Sequence, residues 1–166
     1  MAKSSPYIAM DATDYRILTF LQADGRITNQ DLAARVHLSP SACHRRVGRL
    51  EAAGVILGYT AVVEPDAVGR GTVVFVHVAL ERQTEDAMAA FEAAVAGCPD
   101  ITECHLMSGE ADYLVKVAAA DLPDFERIHR RDLSRLPGVA RLQSSFTLRT
   151  VKKVGPFEPS GAAAPS

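Results

Sequence analysis

The sequence predicts an α+β chain in two parts, three short helices followed by a four-stranded sheet carrying two helices. Three observations predict it. Between residues 11 and 53, apolar residues recur at helical spacing and the breaks fall on capping residues. From Val55 onward β-branched runs take over. From Thr72 the segments read strand, helix, strand, strand, helix, strand, the order of a split β-α-β-β-α-β unit of ferredoxin-like type.

The first helix runs from about Thr13 to Asp24 on an Ile17, Leu18, Leu21 stripe, with Gly25 expected as a left-handed cap. Thr28 caps a second helix ending near Val36, with Asp31 in the reciprocal position of a capping box. Ser39-Pro40 is a strong start signal for a third helix that continues to Ala53 and stops at Gly54. A short helix, a tight turn and a longer capped helix make a helix-turn-helix. At about 100° per residue, Cys43, Val47 and Leu50 of the third helix share a buried stripe. Ser41, His44, Arg45, Gly48 and Arg49 fall on the opposite side, and Arg46 on the flank, where a phosphate contact or a structural bond suits it better than a base contact.

Val55 to Val63 reads as a linker strand. Thr72 to Leu80 is a strand in which neighbouring residues are both apolar, so both sheet faces are expected to meet protein, and self-association is the economical way to cover the second. Asp86 to Gly97 is a helix; Ile101 to Ser108 and Ala111 to Ala118 form a hairpin about Gly109-Glu110. Leu122 to Leu136 is an amphipathic helix and Val139 to Val151 a last strand. The domains are therefore 11–54 (helix-turn-helix, winged-helix-like), 55–71 (linker strand and loop), 72–153 (ferredoxin-like) and 154–166 (disordered tail).

Composition excludes several classes. With 48% hydrophobic and 23% charged residues over 166 positions, a buried core is within reach. No apolar run nears the roughly 18 residues that span a bilayer, and the Met-Ala-Lys-Ser-Ser-Pro start leads into no signal core, so a cytoplasmic protein is expected. Three cysteines without a C-x-x-C pattern fit free thiols rather than a disulfide frame or a zinc site. Cys104-His105 is no metal pair, because neighbours on a strand point to opposite faces. No phosphate loop and no nucleophile-base set occurs, so neither an enzyme nor a cofactor is expected. Residues 1–53 carry a net charge of +2 and the remainder −4, a basic module on an acidic body.

The exposed face of the third helix supplies the chemistry that reads DNA. Arginine to guanine is the commonest base contact in a major groove, and Arg45 and Arg49 lie one turn apart. Ser39, Ser41 and His44 sit nearer the helix N-terminus, which in helix-turn-helix docking points at base edges or phosphates, while Thr28 and Asn29 open the preceding helix within reach of phosphate.

The chain resembles the Lrp/AsnC (feast/famine) family of transcriptional regulators. The resemblance rests on Asp14 to Thr28, on Leu38-Ser39-Pro40, Cys43, Arg46-Val47 and Leu50-Glu51, and on Gly54 to Ala61. It rests further on Glu103 to Leu114 and Leu136-Pro137-Gly138-Val139, and it covers roughly 11–153. It implies a nucleoid-associated regulator of double-stranded DNA that pairs into homodimers, often assembling to octamers, and responds to a small amino acid. It also implies an effector pocket lined by Ser108, Gly109, Glu110, Ala111 and Asp112, with Gln143 reaching the ligand. Within that pocket, backbone N–H groups about Gly109 suit a carboxylate and Asp112 an α-ammonium. Where family members often carry a bulkier or charged residue this chain has Gly48, so its sequence preference is expected to differ. The alternatives are an effector-independent architectural regulator and a ferredoxin-like small-molecule-binding protein without DNA binding.

Overall fold

The computed structural model describes residues 8–152 and 155–157. It divides into two compact units at Ala61/Val62, with the segment from Lys152 belonging to the first, so residues 62–71 go with the sheet.

The first unit holds α1 (Ala12–Ala23), α2 (Asn29–Val36) and α3 (Pro40–Ala52). Each starts on a side chain that satisfies an orphan N–H. Asp11 caps α1 in a reciprocal box with Asp14, and Ser39 caps α3 ahead of Pro40. Thr28 caps α2 by accepting from the Asp31 N–H, but its hydroxyl then donates to the Asp31 carboxylate at 2.7 Å, so the reciprocal half of the expected box is side chain to side chain. His37, at φ 58°, turns the chain sharply between α2 and α3. Ile17, Leu32, Ala33, Val36, Cys43 and Leu50 make the core. Gly25 does not take the left-handed conformation expected of it, and a Cβ there would lie in ordinary contact, 3.7 Å from the Tyr59 ring. Gly54 does take it, at φ 68°, ending α3.

Val55–Val63 has no ladder partner, in place of the linker strand expected there. A strand needs a neighbour for its N–H and C=O groups, and among the described residues none pairs with this segment; Leu57 is 94% and Val62 87% exposed. Of the tail, residues 153–154 and 158–166 lie outside the described residues. Phe157, within it, is held to α1: its N–H donates to Gln22 Oε1 at 2.7 Å and its carbonyl accepts from Gln22 Nε2 at 3.2 Å.

The second unit holds β1 (Thr72–Leu80), α4 (Glu85–Ala96), β2 (Ile101–Leu106), β3 (Tyr113–Ala119), α5 (Leu122–Arg131) and β4 (Val139–Phe146). The sheet is antiparallel in the order β2-β3-β1-β4, the ferredoxin-like arrangement. Val74, Val76 and Val78 pair with Val117, Val115 and Tyr113. Together they form a fully buried layer with Phe91 of α4 and Ile128 of α5. The alternate residues Val73, Phe75, His77 and Ala79 are half-buried on the uncovered face.

The hairpin strands stop short of the expected turn, β2 at Leu106 and β3 starting at Tyr113, and two further elements are shorter than expected. An α-helix continued past Arg131 would carry Leu133 roughly 140° away from Ile128. The chain instead breaks at Asp132 into a 3-10 turn, Leu133–Arg135, that turns Leu133 and Leu136 inward. β4 stops at Phe146 rather than Val151: its ladder with β1 ends at Val74 opposite Phe146, and the last backbone bond is Thr147 N–H to Val73 O, 3.0 Å. Among the described residues no helix is long and apolar enough to cross a membrane.

Candidate nucleic-acid interface and small-molecule site

The third helix is set on the first by one buried acid. Asp14 is completely buried, and its carboxylate accepts from Arg46 Nη1 at 2.9 Å, from Arg49 Nη2 and from the Asp11 N–H at 3.1 Å. Arg46 also reaches Asp11 at 2.8 Å. The Asp14 backbone N–H and the Arg46 guanidinium hold the Asp11 carboxyl below its ordinary value. Arg46 therefore makes the structural bond that its flank position allowed. Arg49, expected as a base-reading donor, gives Nη2 to Asp14 while its side chain stays 47% exposed.

The remaining sequence-predicted residues divide in the same way. Arg45 and His44 are exposed and make no hydrogen bond or ion pair among the described residues. Ser41 is exposed beside Ser39, whose hydroxyl caps the helix by accepting from the Ala42 N–H. Asn29 donates to the Pro40 carbonyl at 2.9 Å, bracing α2 against the start of α3, and Thr28 is committed to Asp31. A Cβ on Gly48 would meet nothing within 4 Å, so this helix presents bare backbone in the middle of its exposed side. The groups on this side of α3 without a partner among the described residues are thus His44 and Arg45, with Ser41 bonded only to the Ser39 hydroxyl at 3.2 Å, near a helix N-terminus whose dipole favours anions. Asp14 was missed as a positioning residue. Its signal in the sequence was an acid standing inside an otherwise apolar helical stripe.

In the sheet unit, the β2–β3 loop bounds a hollow of about 320 Å³. Met107 and Ser108–Ala111 wall it, and His77 of β1 and Gln143 of β4, paired across the ladder, contribute the other side. This brings together Ser108, Gly109, Glu110, Ala111 and Gln143 as expected. None of the N–H groups of residues 108–111 donates a hydrogen bond within the described residues. Gly109 sits at φ 150° with open space where a Cβ would be, so it serves backbone conformation and not clearance. Glu110 lines the hollow and pairs with Arg141 at 3.0 Å.

Asp112 does not line it. Both carboxylate oxygens are engaged, one by the Leu80 N–H and one by Gln83 Nε2, each at 2.7 Å. Its backbone is tied down as well, to Val78 and Met107. The residue expected to meet an α-ammonium instead fastens the loop to the end of β1. His77 and Met107 were missed; the signal for His77 was a lone polar residue at an outward position of an otherwise apolar strand. Cys104 and His105 point to opposite faces, Cys104 packing on the core and His105 lying 3.5 Å from Glu103.

Comparison with known proteins gives two family matches in tandem. Residues 10–56 match a winged helix-turn-helix DNA-binding model and residues 73–157 the Lrp/AsnC ligand-binding domain. The leucine-responsive regulatory protein of Haemophilus influenzae is 41% identical over 145 residues, 87% of each chain. An uncharacterized HTH-type transcriptional regulator of Sinorhizobium fredii is 51% identical over 116 residues, 70% of this chain and 91% of its own length. The crystal structure of a transcriptional regulator from Neisseria meningitidis in complex with L-Met superposes with a TM-score of 0.84 at 37% identity, covering 92% of this chain and 98% of that one.

Proposed function

The chain belongs to the Lrp/AsnC family of DNA-binding transcriptional regulators, and from that premise we propose that it reads specific DNA sites as a homodimer or larger assembly whose DNA binding responds to a small amino acid. The single observation that carries the effector reading is the hollow at residues 107–111, a polar loop with four unspent N–H groups in the unit that matches a ligand-binding domain. Its volume lies at the small end of the ~300–1,000 Å³ of ordinary ligand sites. Those N–H groups suit an α-carboxylate, and Glu110, one oxygen of which pairs with Arg141, is the lining carboxylate for an α-ammonium, in the part first expected of Asp112.

On the DNA side, Arg45 takes the base-reading part, with His44 and Ser41 beside it, while Arg49, Arg46 and Asn29 hold the helix in place. Ser39 and Thr28 leave their N-cap positions within phosphate reach. Self-association is supported by the uncovered sheet face with Val73, Phe75 and Leu114, and by the exposed linker residues Leu57 and Val62. A regulator of this kind acts at the nucleoid.

The test is a thermal-shift screen of the full chain against the twenty amino acids, repeated on Gly109→Val. At least one amino acid is expected to raise the melting temperature of the wild type. The valine variant, forced into a backbone conformation that β-branched residues avoid, is expected to lose that response. A wild type that responds to none makes the effector-independent regulator the better account.

A further inference from the structure

The linker that leaves the helix-turn-helix unit is fastened back to it at Tyr59. Val55 and Ile56 close α3, their N–H groups donating to the Leu50 carbonyl at 2.9 and 3.2 Å. Beyond them Leu57, Val62 and Val63 are exposed, and among the described residues the segment has no ladder partner. Tyr59 breaks that pattern. Its hydroxyl donates to Glu51 Oε1 of α3 at 2.9 Å. Its ring packs beside Gly25 and lines a small hollow with Leu21 and Ile27 and with His44 and Val47 of α3. Burial, with the Glu51 carboxylate beside it, pushes the phenol up, so the hydroxyl stays a donor at neutral pH. The hydrogen bond alone would exchange readily with water, but the apolar cover on the ring holds the two groups together. The chain is held again at the 3-10 turn Pro65–Val68, whose first carbonyl accepts from the Arg70 N–H at 2.8 Å.

We propose that the Tyr59–Glu51 contact is a positioning anchor that sets which half-site spacing on DNA paired copies of this chain accept. The proposal rests on the reading above of a regulator that binds DNA as a homodimer or larger assembly. Tyr59 and Glu51 contact no base in this account; they act through the tether that carries α3. Releasing Tyr59 returns Leu57, Gly58 and Tyr59 to that tether and lengthens its reach by about 10 Å. Two copies together gain about 20 Å, more than the roughly 17 Å by which half a helical turn displaces one half-site. Half a turn also carries the second half-site to the opposite side of the duplex. A unit held by a packed ring cannot swivel to follow it, whereas one on a longer, unanchored tether can.

The test titrates the full chain, as wild type, Tyr59→Ala, Tyr59→Phe and Glu51→Ala, by fluorescence anisotropy. Three duplexes are used: one enriched from a random pool, the same duplex with about half a turn of extra base pairs between its halves, and an isolated half-site. The wild type is expected to bind the enriched duplex about tenfold or more tighter than the lengthened one. In Tyr59→Ala that ratio is expected to fall below about threefold, while affinity for the isolated half-site stays within about twofold of wild type. Tyr59→Phe, which keeps the ring, is expected to fall between the two. Glu51→Ala changes an exposed position of α3, so it decides the matter should Tyr59→Ala fold poorly, and its ratio is expected to drop in the same direction. A wild-type ratio in the folded variants, or an equal loss on the isolated half-site and the enriched duplex, overturns the anchor and leaves the paired reading of DNA intact. A wild type indifferent to the spacing overturns both.

Discussion

Asp14→Ala is expected to destabilise the helix-turn-helix unit by about 2–4 kcal/mol. The carboxylate it removes is fully buried and takes three hydrogen bonds, two from the arginines of α3 and one from the backbone at Asp11. The penalty falls short of that for a wholly buried pair because Arg46 and Arg49 are partly exposed, at 29% and 47%, and regain water once released. Asp14→Asn keeps an acceptor of the same shape and is expected to lose about half as much. Urea denaturation of both variants checks the order. DNA affinity follows the same order even where the protein stays folded, because the contact that sets α3 against α1 is gone. A loss below about 0.5 kcal/mol for the alanine variant would mean that the buried acid does not hold the recognition helix.

Phe91→Ala is expected to cost the sheet unit about 3–5 kcal/mol. The ring is completely buried, 4.5 Å from the Tyr113 ring, at the centre of the layer made by β1, β3 and α4. Its removal leaves a cavity that the rigid sheet beneath it cannot close, and strips Tyr113 of its packing partner. Tyr113 is fixed at its far end by a 2.8 Å hydrogen bond to Glu92, and burial together with that carboxylate pushes its phenol well up. The ring thus stays a neutral donor. Against a typical whole-domain stability of about 5–15 kcal/mol, such a loss is severe. Calorimetric unfolding is expected to show it in the transition of the sheet unit while the helix-turn-helix transition, the one Asp14→Ala lowers, stays in place.

The sequence was most legible where local chemistry decides the structure. Ser39-Pro40 placed the start of α3 because a hydroxyl cap and a proline suit that position and few others. The Cys43, Val47, Leu50 stripe gave the buried side because helical period alone sets it. Legibility failed where a distant residue decides. Arg49 lay on the side opposite the stripe, and stays exposed there, yet Asp14, 35 residues earlier, takes its Nη2. Asp112 looked like a free charge in a glycine loop; Leu80 and Gln83, from the end of another strand, use both of its oxygens. Val55–Val63 has strand composition without a strand's neighbour, and propensity cannot supply hydrogen-bond partners. His77 passed as a flaw in an apolar run until the β1–β4 register set it opposite Gln143 over the hollow.

The central claim is that α3 reads DNA through its free donors. The most direct measurement selects duplexes from a random pool with the wild-type chain, then titrates the enriched duplex and a scrambled one with wild type and Arg45→Ala by fluorescence anisotropy at two salt concentrations. The account predicts enriched sites with two-fold related halves about one helical turn, or a multiple of it, apart. It predicts affinity that falls with salt, and an Arg45→Ala variant weakened on the enriched duplex by about 1–3 kcal/mol while near wild type on the scrambled one. An enriched duplex bound no tighter than the scrambled one, or bound equally by wild type and Arg45→Ala, would contradict it.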